Sequence, residues 1–245
     1  MNKIQTLIVT AFCLAAGPVF AGAVGSPVTD PVVVPVVDPA SSEPETSVRD
    51  WSGYYAGLHL GFGSGSYNTR GETPVGLGPD ISVDGLVGGA TIGRNWQNGR
   101  TIYGIEADIS TGPSGSVPRF TPAPVWNCGQ GDCNVKIDYF ATLRGRYGWV
   151  SGRGFFYGTA GLAAGRATGG IANSPHQGSG TAFGWTAGAG YEYALNDRNT
   201  LKIEALYVDL GKLPFGTDNR PTPEQGTFFA TGDFAVIRVG WNIRF

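Results

Sequence analysis

The chain has 245 residues, of which 40 are glycine; 12% are aromatic, 15% are charged and the net charge is −2. Soluble domains carry about 25% charged residues and about 7% glycine, so this composition describes a turn-rich, weakly charged chain, and its glycines follow no collagen triplet. With no basic run and no Arg/aromatic patch, a nucleic-acid partner is excluded as an expectation.

The amino terminus reads as a secretory signal over residues 1–21. Lys3 supplies the positive start, Ile4 to Ala16 are mainly apolar, and Val19-Phe20-Ala21 is a small-x-small cleavage site. Ala21-Gly22-Ala23 offers a second site, so cleavage falls after 21 or 23. The apolar run is too short to span a bilayer as a helix, and Cys13 is expected to leave with it. Export is expected to use the Sec pathway. Residues 22–50 are rich in Pro, Val, Ser and acidic residues and read as an extended periplasmic linker. No later stretch is long and apolar enough for a transmembrane helix.

From Trp51 onward the chain alternates, which places successive side chains on opposite faces of strands. In the first run Tyr54, Ala56, Leu58, Leu60 and Phe62 oppose Tyr55, Gly57, His59 and Gly61. The second sets Leu86, Ala90, Ile92 and Trp96 against Thr91 and Asn95. The third sets Tyr103, Ile105, Ala107 and Ile109 against Glu106 and Asp108. In the fourth, Val135, Ile137, Tyr139, Ala141, Leu143, Tyr147 and Trp149 alternate with Lys136, Asp138, Thr142, Arg144 and Arg146. A fifth sets Phe156, Ala160 and Leu162 against Tyr157 and Thr159, and a sixth sets Phe183, Trp185, Tyr191 and Tyr193 against Thr186 and Glu192. A seventh sets Leu201, Ile203 and Tyr207 against Lys202 and Glu204. The eighth closes the chain with Ile237, Val239, Trp241, Ile243 and Phe245 opposite Arg238, Asn242 and Arg244.

Short links (97–100, 151–154, 196–199) alternate with long ones (64–83, 112–134, 169–180, 212–232). Strands of about ten residues joined by short turns at one end and long loops at the other are the pattern of outer-membrane barrels. Residues 51–245 are therefore expected to form an all-β, eight-stranded antiparallel up-and-down transmembrane β-barrel with both chain ends on the periplasmic side. A soluble barrel would put the apolar face inside. Three features favour the inverted arrangement: a non-aromatic face of Gly, Thr and both charge signs, Tyr and Trp near strand ends, and a terminal Phe on the apolar face.

The same residues carry a resemblance. Trp51-Ser52-Gly53-Tyr54-Tyr55-Ala56-Gly57, Gly85-Leu86-Val87-Gly88-Gly89, Leu143-Arg144-Gly145-Arg146, Gly184 to Tyr193, Leu206 to Gly211 and Arg238 to Phe245 together resemble the small porin-like outer-membrane β-barrel family of bacterial surface antigens. The resemblance implies an OmpA-like transmembrane barrel in the outer membrane of a Gram-negative bacterium, with membrane lipid around it. It implies that Trp241, Ile243 and Phe245 form a carboxy-terminal signal for the barrel-assembly machinery. Arg94 departs from the family pattern, which favours an aromatic there, and is expected near the periplasmic rim with its side chain snorkelling.

Ten ionisable side chains fall on the expected interior face: Glu106, Asp108, Lys136, Asp138, Arg144, Arg146, Glu192, Lys202, Glu204 and Arg238. Five acids and five bases can neutralise one another, and burial is tolerable only if they pair. An eight-stranded barrel is just wide enough to be filled by side chains, so a plugged interior is expected, with a narrow porin passing small solutes as the alternative. Cys128 and Cys133 in an exported chain are expected to form a disulfide that stiffens a Pro-rich loop; the rival metal site lacks flanking His or carboxylates, and no metal is expected. The histidines are His59, on an interior face, and His176, in a Gly/Ser loop without a carboxylate, so no catalytic set is indicated and no cofactor is expected. The overall expectation is a monomer with a structural and surface-interaction role; a haem-binding or adhesin-like role for the external loops, meeting an external ligand or host surface, is the further alternative.

Overall fold

The computed structural model describes residues 49–71, 77–118, 132–171, 177–214 and 228–245. They lie within one compact unit, Thr46–Phe245, and Met1–Glu45 lies outside the described residues. The expected signal segment, most of the linker, Cys128 and His176 also lie outside them.

Alternation produces strands throughout: β1 Gly53–Gly71, β2 Leu77–Asn98, β3 Thr101–Ser110, β4 Ser114–Val117, β5 Cys133–Ser151, β6 Gly154–Ile171, β7 Gln177–Ala194, β8 Asn199–Pro214 and β9 Phe228–Arg244. Every pairing is antiparallel. β3 and the short β4 occupy one stave, since both lie between β2 and β5. β1 pairs with β2 on one side and β9 on the other, which closes the ring at eight staves. Closure pairs every stave with a neighbour on both sides, the condition for a sheet to cross a lipid bilayer.

The short turns are tight for identifiable reasons. Asn98 pairs with Thr101 and Ser151 with Gly154, leaving Gly99-Arg100 and Gly152-Arg153 as two-residue loops. Gly99 and Gly152 each sit at φ 58°, where glycine meets no steric penalty. The third turn is held by Asn196, whose Oδ1 accepts from the backbone N–H of Arg198 at 3.1 Å and of Asn199 at 2.9 Å.

Outward side chains between the turns and mid-strand form an apolar belt. Leu58 is 65% exposed, Leu162 68% and Phe183 76%, values that suit a surface covered by lipid rather than water. Aromatic residues crowd the short-turn edge of the belt, with Trp96 stacked on Tyr103 at 5.8 Å and Phe245 on Tyr54 at 6.3 Å.

Two expectations need correction. The strands are 16–22 residues long, apart from the split β3/β4 stave, instead of about ten, and strand extends into every expected long loop. At about 3.3 Å per residue and a tilt near 45°, 19 residues rise roughly 45 Å, against a belt of roughly 25 Å. Beyond the belt the faces exchange character: on β1 the outward residues become Ser64, Ser66 and Asn68, and on β2 they become Asp84, Ser82 and Asp80. Inside, at the same level, Tyr67, Ile81, Val83, Val135, Ile137, Phe140, Val208, Leu210 and Phe234 are buried together. The outer part of the barrel is thus built like a water-soluble one.

The second correction concerns β5. Ile137 pairs with Ala167 but Tyr139 pairs with Arg166, so Asp138 is an extra residue in a bulge. A one-residue slip moves every side chain before it to the other face. Val135 and Ile137, expected on the lipid face, are fully buried inside, and Lys136 points outward. Similar breaks occur at 111–113 between β3 and β4, and on β8, where the register shifts between Asp209 and Lys212 with Gly211 at φ 65°. All three lie one or two residues beyond the last outward apolar side chain of their stave (Ile109, Tyr139 and Tyr207).

Candidate functional site: a charged layer inside the barrel

Eight of the ten expected interior charges meet in one layer. Glu106, Asp108, Arg144, Arg146, Glu192, Lys202, Glu204 and Arg238 are each at most 6% exposed. They comprise four acids and four bases. β3 contributes Glu106 and Asp108, β5 Arg144 and Arg146, β7 Glu192, β8 Lys202 and Glu204, and β9 Arg238. Lys136 and Asp138 are not among them. The bulge puts the Lys136 side chain 64% exposed, 3.5 Å from Asp138, whose other oxygen accepts from Thr168 Oγ1 at 2.7 Å.

Two arginines are the hubs. Arg144 donates to Glu204 Oε1 at 3.0 Å, to Asp108 Oδ2 at 2.7 Å and to Glu106 Oε1 at 2.5 Å. Arg238 donates from Nε to Glu204 Oε2 at 2.8 Å and from Nη2 to Asp108 Oδ2 at 3.0 Å. Lys202 reaches both oxygens of Glu106, at 3.0 and 2.9 Å. Glu192 accepts from Arg146 at 2.8 Å, Thr200 at 2.6 Å and Asn242 at 3.0 Å. Each carboxylate has at least three donors in reach, which is what a charge withdrawn from water requires.

Sequence reasoning placed Tyr55 and Tyr157 on the inner face but assigned them no role. Tyr55 accepts from Arg146 at 2.6 Å and donates to Glu106 at 2.8 Å; Tyr157 donates to Glu204 at 2.9 Å. Both rings lie across a glycine on the neighbouring strand: Tyr55 faces Gly93 and Tyr157 faces Gly190. A Cβ at Gly93 would stand 2.3 Å from the Tyr55 hydroxyl, and one at Gly190 would stand 2.4 Å from that of Tyr157. Glycine there is what lets the rings lie down. Arg146 Nε has no hydrogen-bond partner among the described residues; the guanidinium lies against the rings of Tyr157 (4.0 Å), Phe155 (5.2 Å) and Tyr55 (5.4 Å), a setting that favours a desolvated cation.

His59 closes the layer on the outer side. Its Nε2 lies 2.8 Å from Ser110 Oγ and 3.2 Å from Arg238 Nη1, and its Nδ1 lies 3.1 Å from Thr91 Oγ1. A guanidinium only donates, so Nε2 is an acceptor and Nδ1 donates to Thr91. The Ser110–His59 contact is the start of a nucleophilic pair, but Nδ1 meets a hydroxyl rather than a carboxylate, and both residues are buried.

Apolar layers close the charged one on both sides. On the long-loop side stand Phe140 and Phe234, ring centroids 5.2 Å apart. On the short-turn side Trp51, Ile102, Val150, Phe155 and Ala194 are buried together. Trp51 is pinned there by its backbone N–H to Gln97 at 2.7 Å, and Arg49 by bonds to Asn196 and Asp197.

The chain matches the family model for the outer membrane protein beta-barrel domain over residues 39–245. It belongs to the outer membrane protein beta-barrel family. Within the family, the 31 kDa outer-membrane immunogenic protein of Brucella melitensis is 34% identical over 212 residues, covering 80% of this chain and 84% of that one. The 22 kDa outer membrane protein of Rhizobium leguminosarum is 29% identical over 206 residues, covering 84% and 83%. Among solved structures, the outer membrane protein OprG of Pseudomonas aeruginosa is similar with a TM-score of 0.49 at 14% identity, over 79% of this chain and 97% of that one. As a member of this family the protein resides in the outer membrane. In that setting the outward belt is the lipid-facing surface. Arg94, at its short-turn edge, bonds the Tyr54 hydroxyl at 3.1 Å and lies within 5 Å of the Tyr54 and Trp96 rings. Trp241, Ile243 and Phe245 alternate outward at the end of the chain.

Proposed function

We propose that this protein is a closed, non-conducting barrel that anchors an exposed surface structure, and that its contacts with the outside are made by the part standing beyond the belt. The observation that carries this reading is the matched layer of four buried acids and four buried bases, closed by apolar layers on both sides. A water-filled path would leave its lining accessible, and these side chains are at most 6% exposed. The role is structural and interactive rather than catalytic, with His59 fully engaged within the layer. Ring closure pairs each stave with both neighbours at the level of the charged layer, which supports a monomer. Recognition of Trp241, Ile243 and Phe245 by the barrel-assembly machinery belongs to the same proposal, as does a Cys128–Cys133 bridge stiffening the second long loop.

The test is single-channel recording in planar bilayers, with folding checked by heat-modifiable gel mobility. Folded protein should give silent bilayers. Steady, reproducible openings would instead assign the charged layer to a solute path and make the protein a narrow porin.

A further inference from the structure

Once the interior layer is set aside, the remaining charges are distributed unevenly along the barrel axis. Among the described residues, the short-turn end carries Arg49, Arg94, Arg100, Arg153, Arg198 and Arg244 against Asp50 and Asp197. The opposite end, among the described residues whose side chains are placed, carries Asp80, Asp84, Asp132, Asp138, Asp209 and Asp233 against Lys136, Arg166 and Lys212. Among the described residues, one end is therefore distinctly basic.

The arginines are also distributed around the circumference. An eight-staved barrel has four positions at its short-turn end, namely three turns and the junction of the first and last strands. Each has an arginine: Arg100 between β2 and β3, Arg153 between β5 and β6, Arg198 between β7 and β8, and Arg244 with Arg49 at the junction. Arg100, Arg153 and Arg198 are exposed. Of the six, Arg49 alone has a described carboxylate within ion-pair distance, Asp197 at 3.3 Å. Neutral acceptors orient several others. Arg100 donates to the Val150 carbonyl at 3.2 Å, Arg153 to those of Ala194 and Leu195 at 3.1 and 3.0 Å, and Arg244 to that of Ser52 at 2.8 Å. A carbonyl fixes a guanidinium without cancelling its charge. Arg94 stands on the lipid-facing surface itself, one residue pair from the aromatic edge of the belt.

A ring of guanidiniums, only one of them in an ion pair with a described carboxylate, at the level where an aromatic girdle ends fits anions arrayed all round the barrel at headgroup depth. A globular partner would need a patch on one side. We propose that this rim binds the phosphate groups of anionic phospholipids in the periplasmic leaflet, so that the protein gathers an annulus enriched in them.

The test uses the full chain refolded into phosphatidylcholine vesicles containing equal small fractions of brominated phosphatidylglycerol or brominated phosphatidylcholine. Quenching of tryptophan fluorescence reads the lipid next to outward Trp96, Trp149 and Trp241. The anionic lipid should quench as though enriched roughly fivefold. The variant R100Q/R153Q/R198Q should bring the enrichment close to one, and R100K/R153K/R198K should keep most of it. Should the triple glutamine variant fail to fold, Arg198→Gln suffices: this side chain makes no hydrogen bond to described residues, and its loss should lower the enrichment measurably. Equal quenching by the two lipids with the unaltered protein would overturn the proposal, as would an enrichment that survives these substitutions. So would absence of lipid preference together with arginine-dependent sedimentation on purified cell-wall sacculi, which would give the rim to peptidoglycan.

Discussion

The barrel contains two interiors that differ completely although the same strands build both. At the level of the lipid belt the inside holds Glu106, Arg144, Glu204 and Arg238 and the outside holds Leu58, Ile105, Leu143 and Ile203. Beyond the belt the inside holds Ile81, Val83, Phe140 and Phe234, and the outside holds Ser66, Asp84 and Asp233. What changes between them is the medium around the barrel. Where lipid covers the outside, apolar side chains go out and the inside is left to polar groups that satisfy each other. Where water covers the outside, burial of apolar surface drives the opposite arrangement. The breaks at 111–113, Asp138 and Gly211 lie at the changeover.

The comparison can be broken from either side. The largest effect is expected for Glu204→Leu, which strips Arg144 and Arg238 of a shared carboxylate and should cost about 3–5 kcal/mol, as measured by urea unfolding of the folded protein in detergent. Adding Arg238→Met should recover a large part of that loss, because a buried pair replaced as a unit leaves less charge stranded. Phe234→Ala, in the outer interior, should lose a similar amount through its cavity, with no such recovery from a second substitution in the charged layer. A smaller and sharper contrast lies on the outward face of β1. Leu58→Arg should cost about 2–4 kcal/mol in a bilayer, whereas Ser66→Arg, eight residues further along the same face, should change stability by less than about 0.5 kcal/mol. Equal costs at the two positions would mean that the belt does not end where the outward residues turn polar. A more modest loss is expected for Gly93→Ala, which pushes the Tyr55 ring off its seat and should destabilise by about 1–3 kcal/mol, read in the same unfolding assay.

Much of this architecture was legible in the sequence for a plain reason: within the belt the period of two is uninterrupted, so the lipid-facing sets, the turn positions and eight of the ten interior charges followed from alternation. The strand extensions were not legible. There the faces exchange character, Gly, Ser and Asn dominate the outward side, and the stretch reads as loop. Lys136 and Asp138 were misplaced because alternation was carried straight through a bulge that no local sequence signal marks. The roles of Tyr55, Tyr157 and His59 depended on which residue lies opposite on the neighbouring strand. Register of that kind is set by pairing across the sheet, although Gly93 and Gly190 opposite large interior rings were the trace it left.

The order of charges around the ring bears on how such a chain enters a membrane. Glu106 lies directly opposite Arg144 across β3 and β5, Glu192 opposite Lys202 across β7 and β8, and Glu204 opposite Arg238 across β8 and β9. A sheet that grows by adding adjacent strands brings each of these three acids in opposite a base, so a half-built ribbon need not carry them into hydrocarbon as isolated ions. The seam between the first and last strands joins β9 to β1, and the inward side chains of β1 in the layer, Tyr55 and His59, include no carboxylate, lysine or arginine. Ring closure thus docks a strand that brings no carboxylate, lysine or arginine into the layer, while the pairs that span the interior, Glu106 with Lys202 and Asp108 with Arg238, come together as the ring curls.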